Sequence, residues 1–206
     1  MIETNALVDR WVAGWSDSRQ MHGRRDGDGW LVEVAAETRS QEYVCATPSL
    51  PELHRLVAAT TGPDVWLTLV GTLDAQSLDA VAALDPVTSD ERMMTASILP
   101  APVPAQVRIE ERGRVAHARI EVGGELAARG QAAVRARDVV FDRIETTPKF
   151  RRRGLGRLVM TGLSAWAADS NATTGLLMAS VSGHKLYDSL GWSELAPIVT
   201  FRGWVD

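Results

Sequence analysis

The most restrictive stretch of this chain is a strand-like apolar run, Val139-Val140-Phe141 through Ile144, with Pro148 after it. A basic, glycine-spaced segment follows, Arg151-Arg152-Arg153-Gly154-Leu155-Gly156, and then a helical pattern from Leu158 to Leu163. A strand that turns into a helix through such a loop needs residues without bulk where the backbone approaches something closely. The loop aims backbone N–H groups, and the helix its positive end, at one point, which is how proteins hold phosphate. Read alone, Gly154 and Gly156 are equally well explained as a tight turn, and Arg151–Arg153 as a solvated basic run.

The rest of the composition makes that cluster a local feature. The chain has 206 residues, 45% hydrophobic and 23% charged, with a formal net charge of −4. That is enough chain for one large domain or two small ones with a full core. An acidic balance argues against nucleic acid or an anionic membrane as partner. The single cysteine, Cys45, excludes an intrachain disulfide and fits a cytoplasmic location. It reads as a small apolar core residue. Met1-Ile2-Glu3-Thr4-Asn5 has neither a basic nor an apolar signal region, so no signal peptide is expected. No apolar run approaches the length of a membrane span.

Pro100, Pro102 and Pro104 favour extended backbone and prohibit a helix, which predicts two halves, 1–99 and 100–206. In the first, Leu7, Val8, Trp11, Val12 and Trp15 fall at helical spacing over residues 4–17, and Gly23 to Gly29 reads as a polar loop. Strands are expected at 30–34, 42–46, 65–70 and 93–99. A helix is expected from a capping signal, Ser49 with Glu52 three residues on, and another over 74–84. In the second half, strands at 107–110, 115–122, 126–136 and 138–146 include a Gly123-Gly124 hairpin. A helix to about Asp169, a strand at 176–179, a helix from His184 to Leu190 and a strand at 197–203 complete a mixed sheet with helices. Residues 41–99 repeat the order strand, helix, strand, helix, strand of 138–203, so the first half is open to reading as a degenerate copy.

About thirty residues after the basic loop comes Leu186-Tyr187-Asp188-Ser189-Leu190-Gly191-Trp192. Together the two segments resemble the signatures of the GNAT superfamily of acetyl-CoA-dependent N-acetyltransferases. The first is similar to its pyrophosphate loop, Arg or Gln followed by x-x-Gly-x-Gly or Ala. The second resembles its Leu-Tyr-x-x-x-Gly-Phe segment, with Trp192 in place of Phe. Order, spacing and the intervening strand match over roughly residues 105–203, and residues 1–99 are not covered.

The resemblance implies an α/β (α+β) fold with a mixed, mostly antiparallel central sheet flanked by helices. It implies acetyl-CoA as co-substrate, no metal, and a small-molecule or peptide amine as acceptor. Arg151, Arg152, Arg153, Gly154, Leu155, Gly156 and Arg157 would form the pyrophosphate loop. Backbone groups of Ile144, Glu145 and Thr146 would pair with the pantetheine arm. Ser180 stands where the family often has an Asn that touches the cofactor, and Gly183 where Ala is common. Tyr187 would meet the thiolate leaving group. An unperturbed tyrosine is a weaker acid than a thiol by roughly 2 kcal/mol, so its expected part is to stabilise charge on sulfur. An alkyl amine near pKa 10.4 costs roughly 4–5 kcal/mol to deprotonate at pH 7, which calls for a base.

Asp142 and Glu145 are the acidic candidates on the central strand. Strict alternation puts Asp142 on a face with Val140 and Ile144, and Glu145 on the other. Asp142 reads equally well as a structural partner of Arg143. His184 is a candidate shuttle, while His22, His54 and His117 lack metal-ligand spacing. Trp11, Trp15, Trp30 and Trp66 read mainly as core, or as walls of an acceptor pocket. The alternative from another class is a non-catalytic acyl-CoA-binding or interaction module, and a homodimer is left open.

Overall fold

Residues 4–204 are described by the computed structural model. Met1–Glu3, where the absence of a signal region was read, lie outside them. The elements run α1 (Thr4–Arg19), β1 (His22–Asp26), β2 (Gly29–Ala36), β3 (Arg39–Ala46), α2 (Leu50–Ala59), β4 (Val65–Val70), α3 (Ala75–Val81) and β5 (Asp85–Ser97). They continue with β6 (Arg108–Arg112), β7 (Val115–Val122), β8 (Glu125–Arg135), β9 (Asp138–Thr146), α4 (Leu155–Asp169), β10 (Thr174–Ala179), α5 (Val181–Asp188) and β11 (Ser193–Arg202).

The chain groups into two compact units. Among the described residues, one holds 4–16, 20–93 and 194–204, the other 17–19 and 94–193. The boundary expected after residue 99 falls inside the second unit, and β11 from Glu194 onward counts with the first.

In the first unit the apolar stripe of α1 buries Leu7, Val8, Trp11, Val12 and Trp15. Trp11 and Trp15, one turn apart, stack with ring centroids 5.1 Å apart. Residues 22–26 form a strand, not the loop that their polarity suggested. The positive φ of Gly27, 55°, turns the chain so that Asp26 faces Gly29, and β1 pairs antiparallel with β2. Its side chains are mostly exposed, so a solvated edge strand carries no apolar signal. Strand β5 likewise starts at Asp85, well before the expected Met93, because its first residues are polar and largely exposed.

Strand β2 pairs antiparallel with β3, β3 runs parallel to β4, and β11 pairs antiparallel with β4. Cys45, Leu53, Leu56, Leu67, Leu69, Val81 and Leu84 form the core on one side. Burial pushes the Cys45 thiol up to about 12, so it packs there as a hydrophobe. Helix α2 starts as expected at Ser49, whose Oγ accepts from Glu52 N. The Glu52 carboxylate does not close a capping box; it accepts from Asp28 N and from Arg55.

In the second unit β6, β7, β8 and β9 form an antiparallel meander, and β9 is parallel to β10. Gly123 and Gly124, at φ 62° and 80°, make the turn between Val122 and Glu125 as predicted. Small residues of β8, among them Ala128 and Ala132, let α4 press Val159, Met160, Leu163 and Trp166 into one core. The last four residues of β5 join this unit, and Thr95 Oγ1 donates to Gly175 O at 2.9 Å. The observed architecture is a mixed, mostly antiparallel sheet flanked by helices.

Candidate active site

The site begins with one extra residue in β9. Arg129 faces Glu145 and Gln131 faces Asp142, so Gly130 alone stands opposite both Arg143 and Ile144. This is a β-bulge, and Arg143 takes a left-handed φ of 51° to make it. Bulges bend a strand and re-aim its side chains. Asp142 and Glu145 therefore lie on one face, opposite Gln131 and Arg129. Ile144 turns to the other face, where a Cβ on Gly130 would come within 2.5 Å of its Cδ1 and 2.7 Å of Val159 Cγ1. The alternation drawn from sequence is corrected on this point, since it assumed a regular strand.

The bend also parts β9 from β10. Their pairing covers Asp138 to Val140 against Thr174 to Leu176 and goes no further. Past it, β9 runs to Thr146 and β10 to Ala179 with no ladder between them. A cavity of about 770 Å³ lies at this opening, lined by Ile144, Glu145, Thr146, Arg151, Arg152, Ser180 and Tyr187, and also by Arg129 and Leu186.

One end of the cavity is the start of α4. Pro148–Phe150 form a single 3-10 turn, after which Arg152 and Gly154 both take left-handed φ, 63° and 76°. Gly154 is the N-cap and supplies no side-chain hydrogen bond. Helices α2, α3 and α5, by contrast, are capped by Ser49, Asp74 and Ser180. The first N–H groups of α4 have no intrahelical partner and no capping oxygen from their own helix. A Cβ at Gly156 would sit 3.1 Å from Leu186 Cδ2, so its close approach is to α5. At Gly154 nothing lies within 4 Å, and only its φ asks for glycine. Arg151 Nε donates to Thr146 O, tying the loop to the end of β9. Arg157 points elsewhere, donating to Ser189 Oγ, and Arg153 lies over the Phe150 ring.

The other end is α5, which starts at Val181, ahead of the expected His184. Ser180 Oγ accepts from Gly183 N. Gly183 lets the Tyr187 ring close over it, because a Cβ there would meet Tyr187 Cε2 at 2.9 Å. Tyr187 is 7% exposed, and its hydroxyl is pushed up to about 12, first by burial and then by the charge of Asp142. Trp192 packs beside it, edge-on to Phe141 at 5.4 Å.

Asp142 does not line the cavity. Its Oδ2 accepts from Arg19 Nε at 2.6 Å and Gln131 Nε2 at 3.0 Å, and its Oδ1 from Arg19 Nη2 at 2.7 Å. The partner is thus Arg19, not the adjacent Arg143. Glu145 does line the cavity, half-exposed and paired to Arg129 at 2.7 Å. Arg19, Gln131 and Arg129 were not singled out from sequence, because their partners are set by strand register and by a helix more than a hundred residues away. The register itself gives Arg129 once the bulge is known.

With its strand bent by a bulge, parted from its parallel neighbour and followed by an uncapped glycine-started helix, this chain has the fold of the GCN5-related N-acetyltransferases. A GCN5-related N-acetyltransferase from Kribbella flavida superposes with a TM-score of 0.70 at 16% identity, covering 98% of this chain and 96% of that one. An acetyltransferase from the GNAT family of Novosphingobium aromaticivorans gives 0.64 at 14% identity, covering 96% and 97%. A GCN5-related N-acetyltransferase-like protein from Streptococcus suis gives 0.60 at 13% identity, covering 98% and 100%. The likeness therefore extends over residues 1–99 as well, beyond the span that the two motifs covered. No protein-family model matches the sequence, and no curated protein matches it.

Proposed function

We propose that this protein is an N-acetyltransferase that moves an acetyl group from acetyl-CoA to the amine of a small molecule or peptide. The observation that carries the reading is the start of α4, a helix N-terminus with no side-chain cap beside a cavity of about 770 Å³. Left-handed backbone at Arg152 and Gly154 curves successive N–H groups inward, which suits a pyrophosphate. The cavity volume falls in the ordinary range for a ligand site, about 300–1,000 Å³.

The donor, when bound, supplies an acetyl group activated as a thioester. The N–H groups from Arg152 to Arg157 bind its pyrophosphate, with side-chain charge from Arg151 and Arg152. The exposed edge of β9 at Ile144, Glu145 and Thr146 pairs with the amides of its pantetheine arm as one strand pairs with another. Ser180 offers a further hydroxyl at the cavity wall.

In the transfer a C–N bond forms and a C–S bond breaks. The acceptor ammonium gives up one proton before attack and a second as the amide forms. Glu145, the cavity-lining carboxylate, takes them in turn and passes them to water. Asp142, held by Arg19 and Gln131, keeps β9 in place for this. Tyr187 donates a hydrogen bond to the departing sulfur. With its hydroxyl near 12 and a thiol near 8.5, full proton transfer would be uphill by about 5 kcal/mol. Its part is therefore to stabilise charge, and the sulfur takes its proton from solvent.

Calorimetric titration with acetyl-CoA tests the donor, and thiol release across a panel of primary amines tests the transfer. Absence of binding at millimolar acetyl-CoA overturns the proposal. Binding without thiol release from any amine would instead favour an acyl-CoA-binding module.

A further inference from the structure

Behind the bulge lies a second cavity, about 260 Å³, lined by His117, Arg119, Arg129, Gln131 and Arg143 with three apolar or glycine positions. It shares Leu126 and Arg129 with the larger cavity, so the two adjoin. None of its lining residues is acidic, in a chain whose net charge is −4.

The cations there are not all balanced. Arg129 is paired with Glu145. Arg119 has only a loose, exposed contact with Glu110, 3.8 Å, of the kind that contributes little. The Arg143 side chain has no ion pair or hydrogen bond among the described residues. It occupies the left-handed backbone position of the bulge, where glycine, asparagine or aspartate would be easier. A long, exposed cation kept at a strained position on the wall of a cavity, its side chain without a partner, points to a ligand. The guanidinium fork matches a carboxylate or phosphate with two parallel hydrogen bonds.

We infer that the acceptor is a small primary amine that also carries an anionic group, carboxylate or phosphate, and that Arg143 with Arg119 holds this group. The inference rests on the acetyl-transfer reading, for it makes this cavity the acceptor's half of the same site. The larger cavity takes the donor; the smaller one fixes the acceptor's anion so that its amine meets the thioester at the bulge. The size, just under the common range for ligand sites of about 300–1,000 Å³, favours a compact acceptor over a long peptide.

The test uses charged and neutral acceptors in matched pairs, β-alanine with β-alaninamide and phosphoethanolamine with ethanolamine, in thiol-release assays. Wild type should prefer the charged member of a pair. Arg143→Gln and Arg119→Gln should raise KM for charged acceptors about ten- to hundredfold, with coenzyme A affinity and neutral acceptors unchanged. A carboxylate preference and a phosphate preference are told apart by which pair responds. Equal use of charged and neutral members, or Arg143→Gln with wild-type selectivity, overturns the inference.

A second readout does not depend on turnover. Inorganic phosphate is titrated calorimetrically into protein saturated with coenzyme A, which fills the donor loop. Heat in wild type that is lost in Arg143→Gln supports the subsite, and no difference between the two overturns it. Failure of coenzyme A itself to bind sinks the acetyl-transfer reading, and the phosphate comparison then judges Arg143 alone.

Discussion

Arg19 closes two donors on Asp142, Nε on Oδ2 at 2.6 Å and Nη2 on Oδ1 at 2.7 Å. The pair joins the last turn of α1 to the strand residue just before the bulge. Gln131 completes the clasp by donating both to Asp142 and to Ser18 O, at 3.0 and 2.9 Å. Both ion-pair side chains are mostly buried, 17% and 12% exposed, so this pair is less screened than a surface one.

Asp142→Asn is therefore expected to act first on stability. It removes charge from a hydrogen-bonded pair and leaves the Arg19 guanidinium without its counterion, a loss of about 1.5–3 kcal/mol. A thermal melt should show it as a fall of several degrees. Glu145→Gln, at an exposed position, should leave the melt nearly unchanged and lower turnover. The reverse pattern would exchange the two roles.

Gly154→Glu should abolish the stabilisation that acetyl-CoA gives. The side chain has room, with nothing within 4 Å of the added Cβ, so the fold should survive at a strain of about 1–2 kcal/mol. What it adds is an anion where the proposed pyrophosphate belongs. Saturating ligand at a hundred times Kd is worth about 2.7 kcal/mol of stability to wild type. A melt with and without acetyl-CoA reads the difference, and an undiminished shift would count against the loop.

Tyr187→Phe is expected to lower kcat and leave acetyl-CoA affinity close to wild type. It also has a signature in alkaline stability. The folded hydroxyl sits at about 12 against about 10 in an unfolded chain. Between those values the unfolded state loses its proton while the folded state keeps it, so stability falls as pH rises through that window. Below about pH 10 the penalty is absent. Denaturant midpoints between pH 9 and 11.5 should fall less steeply in the phenylalanine variant.

Gly175→Ala should be destabilising by about 1–3 kcal/mol through overpacking. Its Cβ would stand 2.7 Å from Trp192 Cη2, 3.0 Å from Ile98 Cδ1 and 3.2 Å from Phe141 Cε2. A second change, Trp192→Phe, shortens the offending ring and should recover part of the loss. The departure from Phe at position 192 is thus matched by a glycine on β10, and a double-mutant cycle measures the coupling.

These residues also mark what the sequence could tell. Gly154 was legible because its loop speaks through local spacing, and Tyr187 because it sits in a short contiguous motif. The caps at Ser49 and the turn at Gly123-Gly124 are local chemistry too. The bulge was not legible, since a strand with one residue too many reads like any other until its partner's register is known. The faces of Asp142, Ile144 and Glu145 depended on that register. Strand β1 was hidden for another reason: an edge strand with polar side chains on view has no apolar period to detect. Arg19 and Gln131 reach Asp142 through tertiary structure alone.

The start of α2 bears on how many donors the acetyl-transfer proposal allows one polypeptide. The path β3, α2, β4, α3 in the first unit follows the same order as β9, α4, β10, α5, with a parallel strand pair in each. Where α4 begins on a bare glycine, α2 begins on Ser49, whose hydroxyl fills the cap. Pro51 then deletes an N–H, and the carboxylate of Glu52 stands in the first turn. The hydroxyl occupies a donor, the proline removes another, and the carboxylate repels a phosphate. On the acetyl-transfer proposal, the two echoes of one chain path carry one doorway fit for a phosphate among the described residues, and a calorimetric titration should saturate at one equivalent of acetyl-CoA per chain.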